Sequence, residues 1–159
     1  MLIENDKRGI ELQLLYSDER FSIPANLYLI GMMNTADRSL AMIDYALRRR
    51  FSFFTIKPGF DSDIFAQYKA DVNSPILDRL IEQLTSLNDE ISADRSLGAG
   101  FCIGHSYLCN LKNTDDVAAR LRCIVDYDIL PMLSEYWFDE PEKVSRWQAR
   151  LQGIFHDAR

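Results

Sequence analysis

Residues 27–54, LYLIGMMNTADRSLAMIDYALRRRFSFF, constrain this chain more than any other stretch. The first seven, 27–33, are apolar apart from Tyr28 and Gly31 and are bounded by Asn26 and Asn34. So short and continuous a run predicts a buried strand rather than a helix. Asn34 stands at its end, followed by a turn through Thr35, Ala36 and Asp37. Leu40, Ile43 and Leu47 then recur at helical spacing, which predicts a helix from Ser39 to Arg49 with one apolar face. Three consecutive arginines, Arg48, Arg49 and Arg50, close it, and a second β-like run, 51–56, ends at Pro58 and Gly59. Strand, amide, turn, helix, cations and strand follow in an order that points to the phosphate-handling edge of an α/β sheet.

Upstream, IELQLLY (10–16) and FSIP (20–23) are β-prone runs joined by Ser17, Asp18 and Glu19, which predicts a hairpin. Residues 1–9, MLIENDKRG, read as the tail of a helix breaking at Gly9, so residue 1 is expected to lie inside a longer protein. Downstream, Ile64, Phe65 and Tyr68 predict a short helix starting near Asp61, whose carboxylate is the expected cap. Ser74 and Pro75 form a cap and first-turn pair. Ile76, Leu80, Leu84, Leu87 and Ile91 then follow at helical spacing and predict an amphipathic helix of about 20 residues. Gly98 and Gly100 interrupt the pattern, and GFCIGHSYL reads as a loop or short extended segment. A further helix is predicted from residues 113–116 onward, burying Val117, Leu121, Ile124, Ile129 and Leu133, with a kink or early end near Leu130 imposed by Pro131. Glu140, Pro141 and Glu142 open a last helix containing Val144, Trp147 and Leu151.

A net charge of −6 argues against a dedicated nucleic-acid surface, although three of the 18 cationic residues stand side by side. Cys102, Cys109 and Cys123 make no even-numbered framework, which favours a reducing cytoplasm. No cationic leader followed by an apolar core is visible, and no run approaches the roughly 18 apolar residues of a membrane span. Cys102, His105 and Cys109 are unevenly spaced and lack a fourth ligand, short of a structural zinc site, so no metal site is expected. Proximity in sequence is equally poor support for a Cys–His nucleophile. Trp137, Phe138 and Trp147 read as packing, without the surrounding Lys or Arg of a base-stacking surface.

GMMNTADRSLAMIDYALRRRF resembles the sensor-1 to arginine-finger segment of AAA+ nucleotidases, most closely the McrB-type GTPase subunits of modification-dependent, 5-methylcytosine-specific restriction systems. FDSDIF after the Pro-Gly, GFCIGHSYL and EYWFDEPEKVSRW resemble the same family, so the likeness covers nearly the whole chain. It implies an α/β fragment over residues 1–57, the end of an AAA+ large domain with a hairpin, two core strands and a helix. An all-α lid with a short extended insert would follow over 58–159.

By this resemblance Asn34 is sensor 1, its amide able to donate to a phosphate oxygen and accept from water; the alternative is an amide that only caps the following turn. Arg49 and Arg50 are the arginine-finger candidates, acting on a neighbouring subunit's nucleotide, and Arg48 is structural or supporting. A helix dipole stabilises one terminal cation by about 0.3–1 kcal/mol, which gives no reason for three in a row. Asp37 makes residues 34–37 look like a guanine-reading N-K-x-D element. Without the Lys, and at the phosphate end, either Asp37 or Ser39 is better read as a helix cap. His105 and Ser106 are further candidate nucleotide contacts, and His105 is equally a structural histidine hydrogen-bonded inside the lid. Cys102 stands where the family layout leads one to expect a sensor-2 arginine.

The sequence contains no G-x-x-x-x-G-K-[ST] loop and no apolar strand ending in Asp-Glu. The resemblance therefore implies a parent that carries both, and an isolated fragment that neither holds a cofactor nor hydrolyses nucleotide. That parent would self-associate into a ring, hydrolyse GTP with Mg²⁺, and drive cleavage of modified DNA by an McrC-like nuclease subunit. DNA would be contacted by another domain, with no membrane involved. The alternatives are an ATP-hydrolysing AAA+ remodeller of the MoxR or dynein-like branch, a non-enzymatic helical module gripping an anionic partner through its arginines, and a nucleic-acid-binding module.

Overall fold

The chain divides between Thr55 and Ile56 into two units, each clustered by itself, in the computed structural model, which describes residues 2–33, 45–112 and 116–156. In the first unit the predicted hairpin forms, with strands of only two residues each. β1 (Leu12–Gln13) and β2 (Arg20–Phe21) pair antiparallel, Leu12 opposite Phe21 and Gln13 opposite Arg20. Asp18 makes the turn at φ +56°, a conformation that Asp tolerates better than most residues. A 3₁₀ turn, Asn5–Lys7, precedes Gly9, whose φ of +77° reverses the chain so that its N–H donates to the Ile23 carbonyl at 2.9 Å. One turn of helix, α1 (Tyr45–Arg48), ends on the first of the three arginines, and Arg49 and Arg50 follow it in a turn. The rest of the predicted helix, 39–44, lies outside the described residues.

The two apolar runs depart from prediction. Residues 27–33 form no strand and are open to solvent, with Ile30 93% and Met32 97% exposed. Residues 51–56 likewise form no strand, and Phe54 and Ile56 are nearly fully exposed. A central strand needs a neighbour on each side to receive its N–H and C=O groups. Among the described residues the only pairing is β1 with β2, so neither run has such a neighbour. The expected α/β sheet edge is therefore not formed among the described residues, which are mostly helical apart from the hairpin.

The second unit is a helical bundle. α2 (Asp63–Val72) is capped by Ser62, whose Oγ accepts from the Phe65 N–H at 3.3 Å; Asp61, the predicted cap, lies one residue too early. α3 (Pro75–Ala93) starts as predicted, with Ser74 Oγ accepting from the Leu77 N–H and Pro75 in the first turn. Leu77, Leu80, Ile81, Leu84, Leu87 and Ile91 are all buried on its inner face. Each such side chain stabilises the fold by about 1.5–3 kcal/mol relative to exposure.

α4 (Val117–Cys123) is capped by Asp116, whose carboxylate accepts from the Ala119 N–H at 3.0 Å. It runs into a π-helical segment, Ile124–Ile129, and then α5 (Leu130–Tyr136). Pro131 does not end the helix here. It falls in the first turn of α5, directly after the wide π turns, where its missing N–H is not needed. α6 (Pro141–Gly153) buries Trp147 and Leu151. No described helix is long and apolar enough to cross a membrane.

Two acidic groups sit at the C-terminal end of α3, the end where a helix dipole disfavours them. Both are compensated from the chain's last third. The Trp147 indole N–H donates to Glu90 at 2.9 Å, and the Trp137 indole N–H donates to Asp94 at 2.8 Å. Lys143 bonds Asp94 at 2.9 Å and lies over the Trp137 ring, while Arg146 pairs with Glu90. Ser96, Lys143 and Trp137 together hold the Asp94 carboxyl well below the usual carboxylate range. A depressed folded pKa contributes stability that is present above the unfolded value of about 3.9 and is lost as pH falls toward the folded one. Urea denaturation should therefore show Asp94→Asn less stable than wild type at pH 7, with the gap narrowing steadily below pH about 4. Trp137→Phe, which leaves the carboxylate one donor short, should cost about 1–3 kcal/mol in the same measurement.

Candidate functional site

The three arginines at the end of α1 have three different surroundings. Arg50 is tied down: its Nε pairs with the Glu4 carboxylate and its terminal nitrogen donates to the Ala46 carbonyl. The Lys7 ammonium and the Arg50 guanidinium bring the Glu4 carboxyl down to about 2, so the pair is charged throughout the neutral range. Arg48 is exposed and lies 5.9 Å from the centre of the Phe53 ring. Arg49 is exposed and makes no side-chain ion pair or hydrogen bond among the described residues. Such a guanidinium keeps its planar fork of donors available for an anion. Asn34 and Asp37, the other candidates in this stretch, lie outside the described residues, as does Ser39.

The second candidate region, GFCIGHSYL, contains two 3₁₀ turns, Ala99–Phe101 and His105–Leu108, linked through Cys102, Ile103 and an extended Gly104. The chain enters it through Gly98 at φ +84°, a left-handed conformation suited to glycine. Three polar clamps hold the segment. Asn88 on α3 reads the backbone of Ile103 in both directions, accepting from its N–H at 2.6 Å and donating to its carbonyl at 2.9 Å. The Tyr68 hydroxyl on α2 donates to the Leu108 carbonyl at 2.6 Å and accepts from the Leu111 N–H at 2.9 Å. His105 Nδ1 accepts from the Gly59 N–H at 2.9 Å.

The predicted site residues thus differ in role. His105 is partly buried with its Nδ1 engaged inside the helical unit, whereas Ser106 and Tyr107 face solvent. Asn88 goes unnoticed in sequence, and Tyr68 reads there only as part of the pattern of a short helix. The available signal for Asn88 was one amide set directly after the Leu84 and Leu87 stripe of an otherwise apolar face. Burial pushes the Cys102 and Cys109 thiols up, the opposite of what a thiolate nucleophile requires. The described residues contain no group of three His, Cys, Asp or Glu side chains placed to hold a metal ion. A shallow open groove of about 340 Å³ runs along Ala119, Cys123 and Tyr127 on the outer side of α4 and the π segment.

Residues 79–145, which run from within α3 to the first turn of α6, match the family described as the alpha-helical lid domain of McrB. The chain is also 47% identical over 163 residues to the type IV methyl-directed restriction enzyme EcoKMcrB subunit of Escherichia coli K12, an alignment covering 96% of this chain. This is an McrB-type chain. It spans about a third of its relative's length, since the alignment covers 36% of that protein.

In the McrB-type lid, Asn88 and His105 fall inside the matched segment, while their helper Tyr68 and the tethered Gly59 precede it. The lid's insert is thus held partly by residues of its own segment and partly by α2 and the residues before it. Asn88→Ala would leave the Ile103 N–H and carbonyl without their partners. A loss of about 1–3 kcal/mol in chemical denaturation is expected, with faster exchange of the Ile103 amide in particular.

Proposed function

We propose that this chain is the C-terminal part of an McrB-like AAA+ GTPase, the motor of a restriction system that cuts modified DNA. The observation that carries the reading is the identity to the EcoKMcrB subunit over nearly the whole chain, together with the lid match. In this reading residues 1–57 close the nucleotide-binding domain and residues 58–159 form the lid. Asn34 is sensor 1, orienting the attacking water through its carboxamide. Asp37 and Ser106 line the approach to the nucleotide, whereas His105 has its Nδ1 engaged by the Gly59 N–H inside the helical unit.

Arg49 is the arginine that acts in trans, which is favoured by its exposure and by the absence of a described partner. Arg50, braced by Glu4 and the Ala46 carbonyl, sets the end of α1 from which Arg49 projects. An arginine placed against a transferring phosphoryl group offsets its developing charge and can contribute about 10³ to 10⁵ in rate. Because the donor subunit differs from the one holding the nucleotide, the reading requires a ring or other oligomer. The phosphate loop and magnesium carboxylates belong to the parent outside these residues, where Mg²⁺ would neutralise phosphate charge. An McrC-like nuclease subunit performs the cleavage, and DNA is contacted by another domain.

The test is GTP turnover by the parent protein. Arg49→Ala should lower turnover by about 10³ or more while oligomers still assemble by light scattering. Arg50→Ala should combine lower turnover with a lower melting temperature, because it also releases Glu4. Unchanged turnover in Arg49→Ala rings would remove the finger assignment, and a preference for ATP would move the parent to the remodeller branch.

A further inference from the structure

We propose that His105 is a positioning residue, latching the segment where the chain enters the helical unit, and that it works through Gly59 with its Nδ1 atom. The consequence for nucleotide turnover rests on the GTPase reading above; the latch itself does not.

Four observations converge on Gly59. Its N–H donates to His105 Nδ1 at 2.9 Å, bridging 46 positions of sequence. Its carbonyl accepts from the Ser62 hydroxyl at 2.9 Å, and Ser62 is the residue that caps α2. A Cβ placed on Gly59 would stand 3.2 Å from His105 Cε1 and 3.5 Å from both ring nitrogens, so the imidazole covers the bare face of the glycine. Gly59 does not have a positive φ, so the ring and not the backbone is what a side chain there would crowd. Finally, the ring is held edge-on by Phe65 at 5.5 Å and Phe60 at 6.2 Å, which fixes the direction of its nitrogens.

A nitrogen that accepts a hydrogen bond carries no proton, so the neutral ring has its proton on Nε2. The working atom is a neutral acceptor. The linkage runs from the 3₁₀ turn of His105 through Gly59 and Ser62 into the first turn of α2. In a nucleotidase with a lid, the segment entering the lid carries the change between open and closed forms, and a polar anchor there sets how that change is transmitted. A side chain acting this way alters the rate of turnover more than the affinity for nucleotide. A nucleotide contact would do the reverse.

Amide exchange at Gly59, followed by NMR in the full chain, tests the latch directly. His105→Ala and His105→Gln should speed that exchange roughly tenfold, the scale of one lost hydrogen bond. His105→Asn should restore most of the protection, because its amide oxygen can stand near the Nδ1 position while the longer Gln cannot. Gly59→Ala should disturb the ring by itself, yet cost little further in a His105→Ala background, the non-additivity expected of residues in contact.

In the parent, kcat for GTP should fall roughly tenfold for the Ala and Gln variants with KM changed less than about twofold, and Asn should rescue it. Unchanged Gly59 exchange in His105→Ala, or Asn no better than Gln, overturns the latch. A raised KM with unchanged kcat overturns it in favour of a nucleotide contact. A wild-type parent that turns over no GTP overturns the GTPase reading alone, since Gly59 exchange still decides the latch.

Discussion

The inner face of α3 is the surface on which the helical unit depends. Six aliphatic side chains repeat along it at helical spacing and are all buried, and α4, α6 and the Ala99–Phe101 turn pack against this helix. Because apolar burial is proportional to area and has no direction, such a stripe brings helices together without specifying their register. The specificity comes from the polar residues that interrupt or end it. Asn88 offers both an acceptor and a donor to one peptide of the insert, and Glu90 and Asp94 each take an indole N–H from the end of the chain. A buried indole N–H without an acceptor is costly, so each tryptophan has one well-satisfied position.

The same logic explains why acidic groups are tolerated at the wrong end of a helix. Alone they would oppose the dipole of α3. With Lys143 stacked on Trp137 and bonded to Asp94, and Arg146 on Glu90, the charge becomes the means by which α6 is held. Trp137 and Trp147 are therefore structural, whereas Phe138 is exposed, and the insert between α3 and α4 is presented from a firm base. Its residue Ser106 faces outward, and the Tyr107 hydroxyl beside it rests on the Met132 sulfur.

The amino-terminal unit follows a different rule. Its polar features are well formed: a hairpin turn, a charged Glu4–Arg50 pair and an exposed Arg49. Its apolar runs are uncovered, with Ile30, Met32 and Phe54 facing solvent. Apolar surface of this extent usually marks a place where other chain or other protein packs. Such a surface is compatible with an McrB-type chain that spans about a third of its relative's length.

Sequence alone determined the features that depend on near neighbours. The α3 periodicity, the Ser74-Pro75 start, the turn at Asp18, the last helix from Pro141 and the likeness to McrB could all be read from residues within a few positions of one another. Spacing and cap chemistry are local, so a local pattern suffices. Tertiary structure alone decided which partner each group meets. The 27–33 run has the composition of a buried strand, yet burial requires neighbouring strands that no described segment supplies. Arg49 and Arg50 are identical and adjacent, and only Glu4, 46 positions away from Arg50, separates the tethered guanidinium from the open one. Gly59 closes a β-like run in the sequence, and only the fold brings the His105 ring over it. Hydrogen bonds and burial belong to pairs distant in sequence, which is why composition and periodicity could nominate these residues but not assign their roles.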